Sequence, residues 1–215
     1  MMKLKASLLG AASILLTAPF SASAGPVTYD GITFPDGDVS FADAYLDIEL
    51  GTPEPTAGNF DPAASLGAPD NGAYSLGQGG FMTLRFTDNS LTGSGDSTPD
   101  LHIFEVGPLV EDTFVWISQD NESFLSLGKV FGATSSIDID AYLGAAGIDP
   151  FTRFSYVRLQ DDPNENTSNV TYAGADIDAV GAITSASPVS VPGPGTLGLL
   201  FGGLVALGAR RRLSA

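Results

Sequence analysis

The chain contains no cysteine, one histidine and one tryptophan, and its 25 acidic residues outnumber nine basic ones. Without cysteine there is no disulfide framework, no thiol nucleophile and no thiolate zinc site. The G-x-S-x-G elbow of serine hydrolases is also missing. A catalytic triad would have to use His102, which falls on a strand pattern and reads as a satisfied or solvent-facing residue. Paired carboxylates can cleave glycosides, but in a chain with 25 acids a pair alone carries no information. The shortage of cations is uneven. Between residues 25 and 190 stand all 25 acids with only Arg85, Lys129, Arg153 and Arg158, a formal charge of −21 where the whole chain carries −16. Such a domain repels nucleic acid and anionic lipid, and it suits divalent cations or neutral polymers.

Targeting signals occupy both ends. Lys3 and Lys5 precede an apolar run over 8–16, and Ala22-Ser23-Ala24 follows. This predicts a signal peptide over 1–24, cut by signal peptidase between Ala24 and Gly25. The run is well short of the roughly 20 apolar residues of a membrane span. At the other end, Pro192-Gly193-Pro194 leads into an uncharged segment over 196–209, followed by Arg210, Arg211 and Arg212. Proline fixes φ and lacks an N–H, so the helix starts after Pro194, and the arginines hold that end on the cytoplasmic side. As a helix the segment spans about 21 Å against a hydrocarbon core of about 30 Å, a short anchor suited to temporary retention. The expected map is signal peptide 1–24, acidic domain 25–185, linker 186–195, membrane helix 196–209 and basic tail 210–215.

That tail resembles the PEP-CTERM sorting signal of bacterial exported proteins, in which a proline motif, one hydrophobic segment and an arginine cluster follow in order. Val191, Pro192, Gly193 and Pro194 stand at the motif, with Gly193 where the family carries glutamate. The resemblance implies processing by an exosortase-like enzyme, transient residence in the inner membrane, and delivery to the cell surface or medium. A plain C-terminal membrane anchor is the other reading of the segment.

Within the domain, short runs rich in β-branched and aromatic residues alternate with turn signals at 81–86, 101–106, 113–118, 124–130, 154–159 and 177–183. With no long helix outside the tail, this spacing predicts an all-β antiparallel sandwich. Residues 32–34 form a further short strand, while 41–48 reads equally as helix or strand. Asp61 followed by Pro62, with Gly67 at the exit, predicts one capped helical turn. Trp116 shares a strand face with Phe114, which predicts core packing, and Phe60, Tyr74 and Tyr172 are loop aromatics that could face a saccharide.

The hairpin 113–130, with its turn Gln119-Asp120-Asn121-Glu122, resembles the central hairpin of galactose-binding-like, discoidin-type jelly rolls. Tyr156-Val157-Arg158 is similar to a strand of that fold, and 174–183 sits at its closing strand. The resemblance implies a jelly roll. It also implies a structural Ca²⁺ between an early loop and the closing strand, at Asp61, Asp70, Asp176 and Asp178. In a strand, Asp176 and Asp178 share a face, as do Asp138 and Asp140, and a cation would relieve their repulsion. The expected function is a non-enzymatic, exported cell-surface or matrix protein without a nucleic-acid partner. The alternatives are a carbohydrate-binding module for exopolysaccharide and, third, a polysaccharide-cleaving enzyme.

Overall fold

The computed structural model describes residues 25–56, 59–107, 110–164 and 171–188. The signal peptide, the motif Val191, Pro192, Gly193, Pro194, the segment 196–209 and Arg210, Arg211 and Arg212 lie outside the described residues.

The chain runs through β1 (Val27–Tyr29), β2 (Ile32–Phe34), β3 (Ala44–Glu49), β4 (Tyr74–Ser75), β5 (Phe81–Arg85), β6 (Ser90–Leu91) and β7 (Leu101–Glu105). It continues through β8 (Thr113–Ser118), β9 (Phe124–Val130), β10 (Thr134–Ile137), α1 (Asp140–Ala146), β11 (Tyr156–Asp161), β12 (Asp176–Ala182) and β13 (Ser185–Ala186). Two main sheets form, one in the order β10-β7-β12-β4 and one in the order β3-β5-β11-β8-β9. Their pairings are antiparallel, so the all-β sandwich is present as expected.

Alternation explains which side chains meet between the sheets. Met82 and Leu84 of β5, Val115 and Ile117 of β8, and Val157 and Leu159 of β11 are buried against Leu101 and Ile103 of β7 and Ile177 and Val180 of β12. Apolar area removed from water at this scale is the main stabilising term of the fold. Ile139 and Leu143 of the α1 region join the same core.

The two outer faces differ. The hairpin β1–β2 lays Phe34, together with Phe41, on Phe104 and Ala179 of the four-stranded sheet. Ring centroids of Phe34 and Phe41 stand 4.6 Å apart, and Phe34 meets His102 edge-on at 5.8 Å. Gly181 admits this contact, since a Cβ there would lie 2.6 Å from Phe34. As a result every residue of β7 and β12 is buried. On the five-stranded sheet β8 and β11 alternate between buried and half-buried positions instead.

The stretch 41–48, open in the sequence, divides in two. Phe41 and Ala42 are buried, and β3 follows as an edge strand beside β5. The turn at Pro62–Ser65 forms with Asp61 accepting from the Ala63 N–H at 3.0 Å, as its capping pattern predicts. Asp138 and Asp140 are not in a strand: β10 ends at Ile137 and Asp140 opens α1, so strand alternation does not relate the two carboxylates.

Candidate functional site

The open face of the five-stranded sheet carries the side chains that alternate away from the core. They are Phe81 and Arg85 on β5, Tyr156, Arg158 and Gln160 on β11, Phe114 and Trp116 on β8, and Phe124 and Lys129 on β9. All are half-buried except Lys129, which is exposed. Trp116 therefore departs from the core position its sequence suggests. Both faces of β8 are apolar, and the compact Val115 and Ile117 fill the interior while the large rings of Phe114 and Trp116 turn outward. Those two rings lie 5.9 Å apart.

Cross-strand register builds the rest. Arg158 stands opposite Trp116 on one side and Thr83 on the other. Its Nε donates to Thr83 Oγ1 at 2.9 Å, and its guanidinium lies 4.1 Å from the ring centre of Phe124 and 5.0 Å from that of Phe81. Arg85 lies 5.5 Å from the ring of Tyr156, and the Lys129 ammonium 5.7 Å from that of Phe114. Contacts of this kind contribute about 0.5–1 kcal/mol each when partly exposed, enough to favour one rotamer. Arg158 also faces Asp47 at 3.6 Å, and Lys129 pairs with Asp112 and Asp162. Three of the domain's four cations thus sit on one face, interleaved with five aromatic rings, and two of them, Arg158 and Lys129, pair with carboxylates.

At the turn end of β8–β9 a cleft of about 270 Å³ brings the polar side chains of Gln119, Asp120 and Ser123 beside Phe124, Ile148 and Phe154. The loop aromatics are less suited to a platform. Tyr74 is buried in β4, while Phe60 and Tyr172 are exposed but lie off this face.

Of the four aspartates matched to a family calcium site, Asp70 and Asp178 meet, since Asp178 accepts from the Asp70 N–H. Asp61 caps its turn. Asp70 accepts from the Gly72 N–H at 2.7 Å. A bulge in β12 between Ile177 and Ala179 breaks the alternation that would align Asp176 with Asp178. Asp176 accepts from Ser75 and from Asn59, whereas Asp178 accepts from the N–H groups of Asp70 and Asn71 at 3.2 and 3.3 Å. Amide donors turned toward both oxygens of Asp178 give it the surroundings of a hydrogen-bonded loop clamp. Burial raises the carboxyls of both Asp176 and Asp178 above the usual range.

His102 is 3 % exposed, its Nδ1 lies 2.8 Å from Ser136 Oγ, and burial pushes its pKa down to about 4. It is neutral and enclosed. Glu105 falls on the same side of β7 as the core residues Leu101 and Ile103 and is 7 % exposed, while Glu111, whose N–H donates to it, is half-buried.

No family model matches the chain, and no curated protein matches it. Among solved structures, CpGH89CBM32-6 produced by Clostridium perfringens is 12% identical with a TM-score of 0.41, over 67% of this chain and 97% of that one. A CpGH89 double variant from Clostridium perfringens, in complex with its substrate GlcNAc-alpha-1,4-galactose, is 13% identical with a TM-score of 0.36, over 72% of this chain and 16% of that one. The present chain therefore spans a small part of the second protein.

Proposed function

We propose that this chain is an exported, non-enzymatic carbohydrate-binding protein that holds exopolysaccharide on the open face of its five-stranded sheet. One observation carries the reading: Trp116 and Phe114 present their rings outward beside the fixed donors of Arg158. Sugar rings offer C–H faces that stack on aromatic planes, and their hydroxyls take hydrogen bonds from donors held at the rim. Two of the three cations of the face are already paired, Arg158 with Asp47 and Lys129 with Asp112 and Asp162. A neutral polymer therefore suits it better than an anionic one, which the charge of −21 would repel. Export rests on residues 1–24 and on the tail from Val191 to Arg212, whose sorting-signal resemblance makes an exosortase-like enzyme the processing partner.

The test is co-sedimentation of the full chain with exopolysaccharide from the producing cells. Binding should saturate, and Trp116→Ala should weaken it by at least about tenfold, equivalent to roughly 1.4 kcal/mol, with little change in melting temperature. Absence of binding, or binding indifferent to Trp116→Ala, would contradict the proposal.

A further inference from the structure

A second constellation lies away from the open face, where the loop between β6 and β7 meets the start of α1. Asp100, wholly buried, accepts from the Ile139 N–H at 3.1 Å through Oδ2; its Oδ1 is buried with no partner in hydrogen-bond geometry, although the Ser94 and Thr184 hydroxyls lie close to the carboxyl. Asp140 repeats this arrangement. Its Oδ2 accepts from Ser94 Oγ at 3.2 Å and from the Gly95 N–H at 2.7 Å, and its Oδ1 is buried and unpaired. Asp138 accepts from the Asp140 N–H at 2.9 Å, leaving its carboxylate directed at the same corner. One carboxylate oxygen from each of Asp100, Asp138 and Asp140 lies within 4.8 Å of the other two. Gly93 passes close by: a Cβ there would lie 2.2 Å from Asp140 Oδ1 and 2.9 Å from the Pro150 carbonyl oxygen, so any side chain would fill the space beside that oxygen.

Two unpaired buried oxygens beside a third acidic group are costly twice over, in lost hydration and in mutual repulsion. Hydrogen bonds hold the other oxygens of Asp100 and Asp140 in place. A cation at the centre removes both costs. The donors are all hard oxygens, and Ca²⁺ at about 2.3–2.6 Å from each ligand tolerates ligand separations up to about 5 Å, whereas Mg²⁺ needs a tighter octahedron at about 2.1 Å. We propose that Asp100, Asp138 and Asp140 bind Ca²⁺, fastening the 94–98 loop and the first turn of α1 to the start of β7. This site is independent of saccharide binding on the sheet face.

The experiment is calorimetric titration of the full chain with CaCl₂ after chelator treatment, at constant ionic strength, with parallel thermal melts. Ca²⁺ should bind saturably and raise the melting temperature, with Mg²⁺ giving a smaller rise at equal concentration. Because a change at the buried Asp100 threatens folding, the diagnostic variant is Asp138→Asn at a half-buried position. It should lose at least about tenfold in Ca²⁺ affinity while retaining a cooperative melt. Asp178→Asn, at the opposite end of the β7–β12 pair from Asp100, should leave the affinity unchanged. No Ca²⁺ response in the parent chain, an unaltered affinity in Asp138→Asn, or a loss confined to Asp178→Asn would each overturn the assignment.

Discussion

Glu105 accepts from the Glu111 N–H at 3.0 Å, and neither carboxyl is solvated as an ordinary surface acid would be. Burial pushes the Glu105 pKa up to about 7. Burial, reinforced by hydrogen bonding to Glu105 and its charge, pushes that of Glu111 up to about 9. Both folded values stand above the ordinary carboxyl value of 4.5, so the folded domain keeps protons that the unfolded chain has released. The stabilisation is complete below 4.5 and is lost as pH rises through about 7 and then about 9. His102 acts at the other end: its folded value is depressed, so its contribution is present above 6.5 and lost as pH falls through about 4. Melting temperature should therefore decline as pH rises from about 4.5 to about 9, and Glu111→Gln should flatten that decline, above all between about 7 and 9. Thermal melts of the two proteins across this range check it, and parallel curves would remove the pair from the account.

Strand β9 shows how one element sets the face. Opposite β8, Ser126 pairs with Trp116 but Gly128 pairs with Val115, so Leu127 is the extra residue of a bulge. Before the bulge Phe124 faces outward, and after it Lys129 does so opposite Phe114, while Leu127 is buried. Unbroken alternation from Phe124 would have turned Lys129 inward. Gly128 takes φ +81 at this point, and a Cβ there would meet only the Tyr142 hydroxyl at 3.8 Å. Space is available, so the cost of a side chain is conformational, about 1–2 kcal/mol for a left-handed residue. Gly128→Ala should lose about that much in urea denaturation, and a neutral substitution would show that the bulge is not held by this residue. The same irregularity marks the limit of what alternation can reveal. Strands β8 and β9 are legible to the residue because branched and polar side chains alternate between turn signals. The outward side of Trp116 is not, since both faces of β8 are apolar and only the coverage of the opposite sheet decides which is enclosed. Arg158, Arg85 and Lys129 were likewise hidden, although their scarcity in the domain and their place inside aromatic strands were a readable signal. Asp138 and Asp140 cluster in the turn after β10 and at the first residue of α1 instead of along a strand, a placement the sequence hides because the seven-residue α1 is too short to show a helical period.

At the scale of the molecule, the two sheets have unequal fates. The hairpin β1–β2 covers the outside of the four-stranded sheet with Phe34, while the outside of the five-stranded sheet keeps its rings half-buried. The domain as a whole carries a formal charge of −21, and three of its four cations stand on this face. Net repulsion keeps such a domain soluble and discourages anionic partners, so the near-balanced aromatic face is where an uncharged polymer finds contact. That claim has a direct optical probe, because Trp116 is the chain's single tryptophan and lies on the face in question. Titrating the full chain with purified exopolysaccharide and following tryptophan emission should give a saturable blue shift as the indole leaves water, with the same midpoint as co-sedimentation. Binding that saturates by sedimentation while the emission of Trp116 stays unchanged would place the ligand elsewhere and contradict the account.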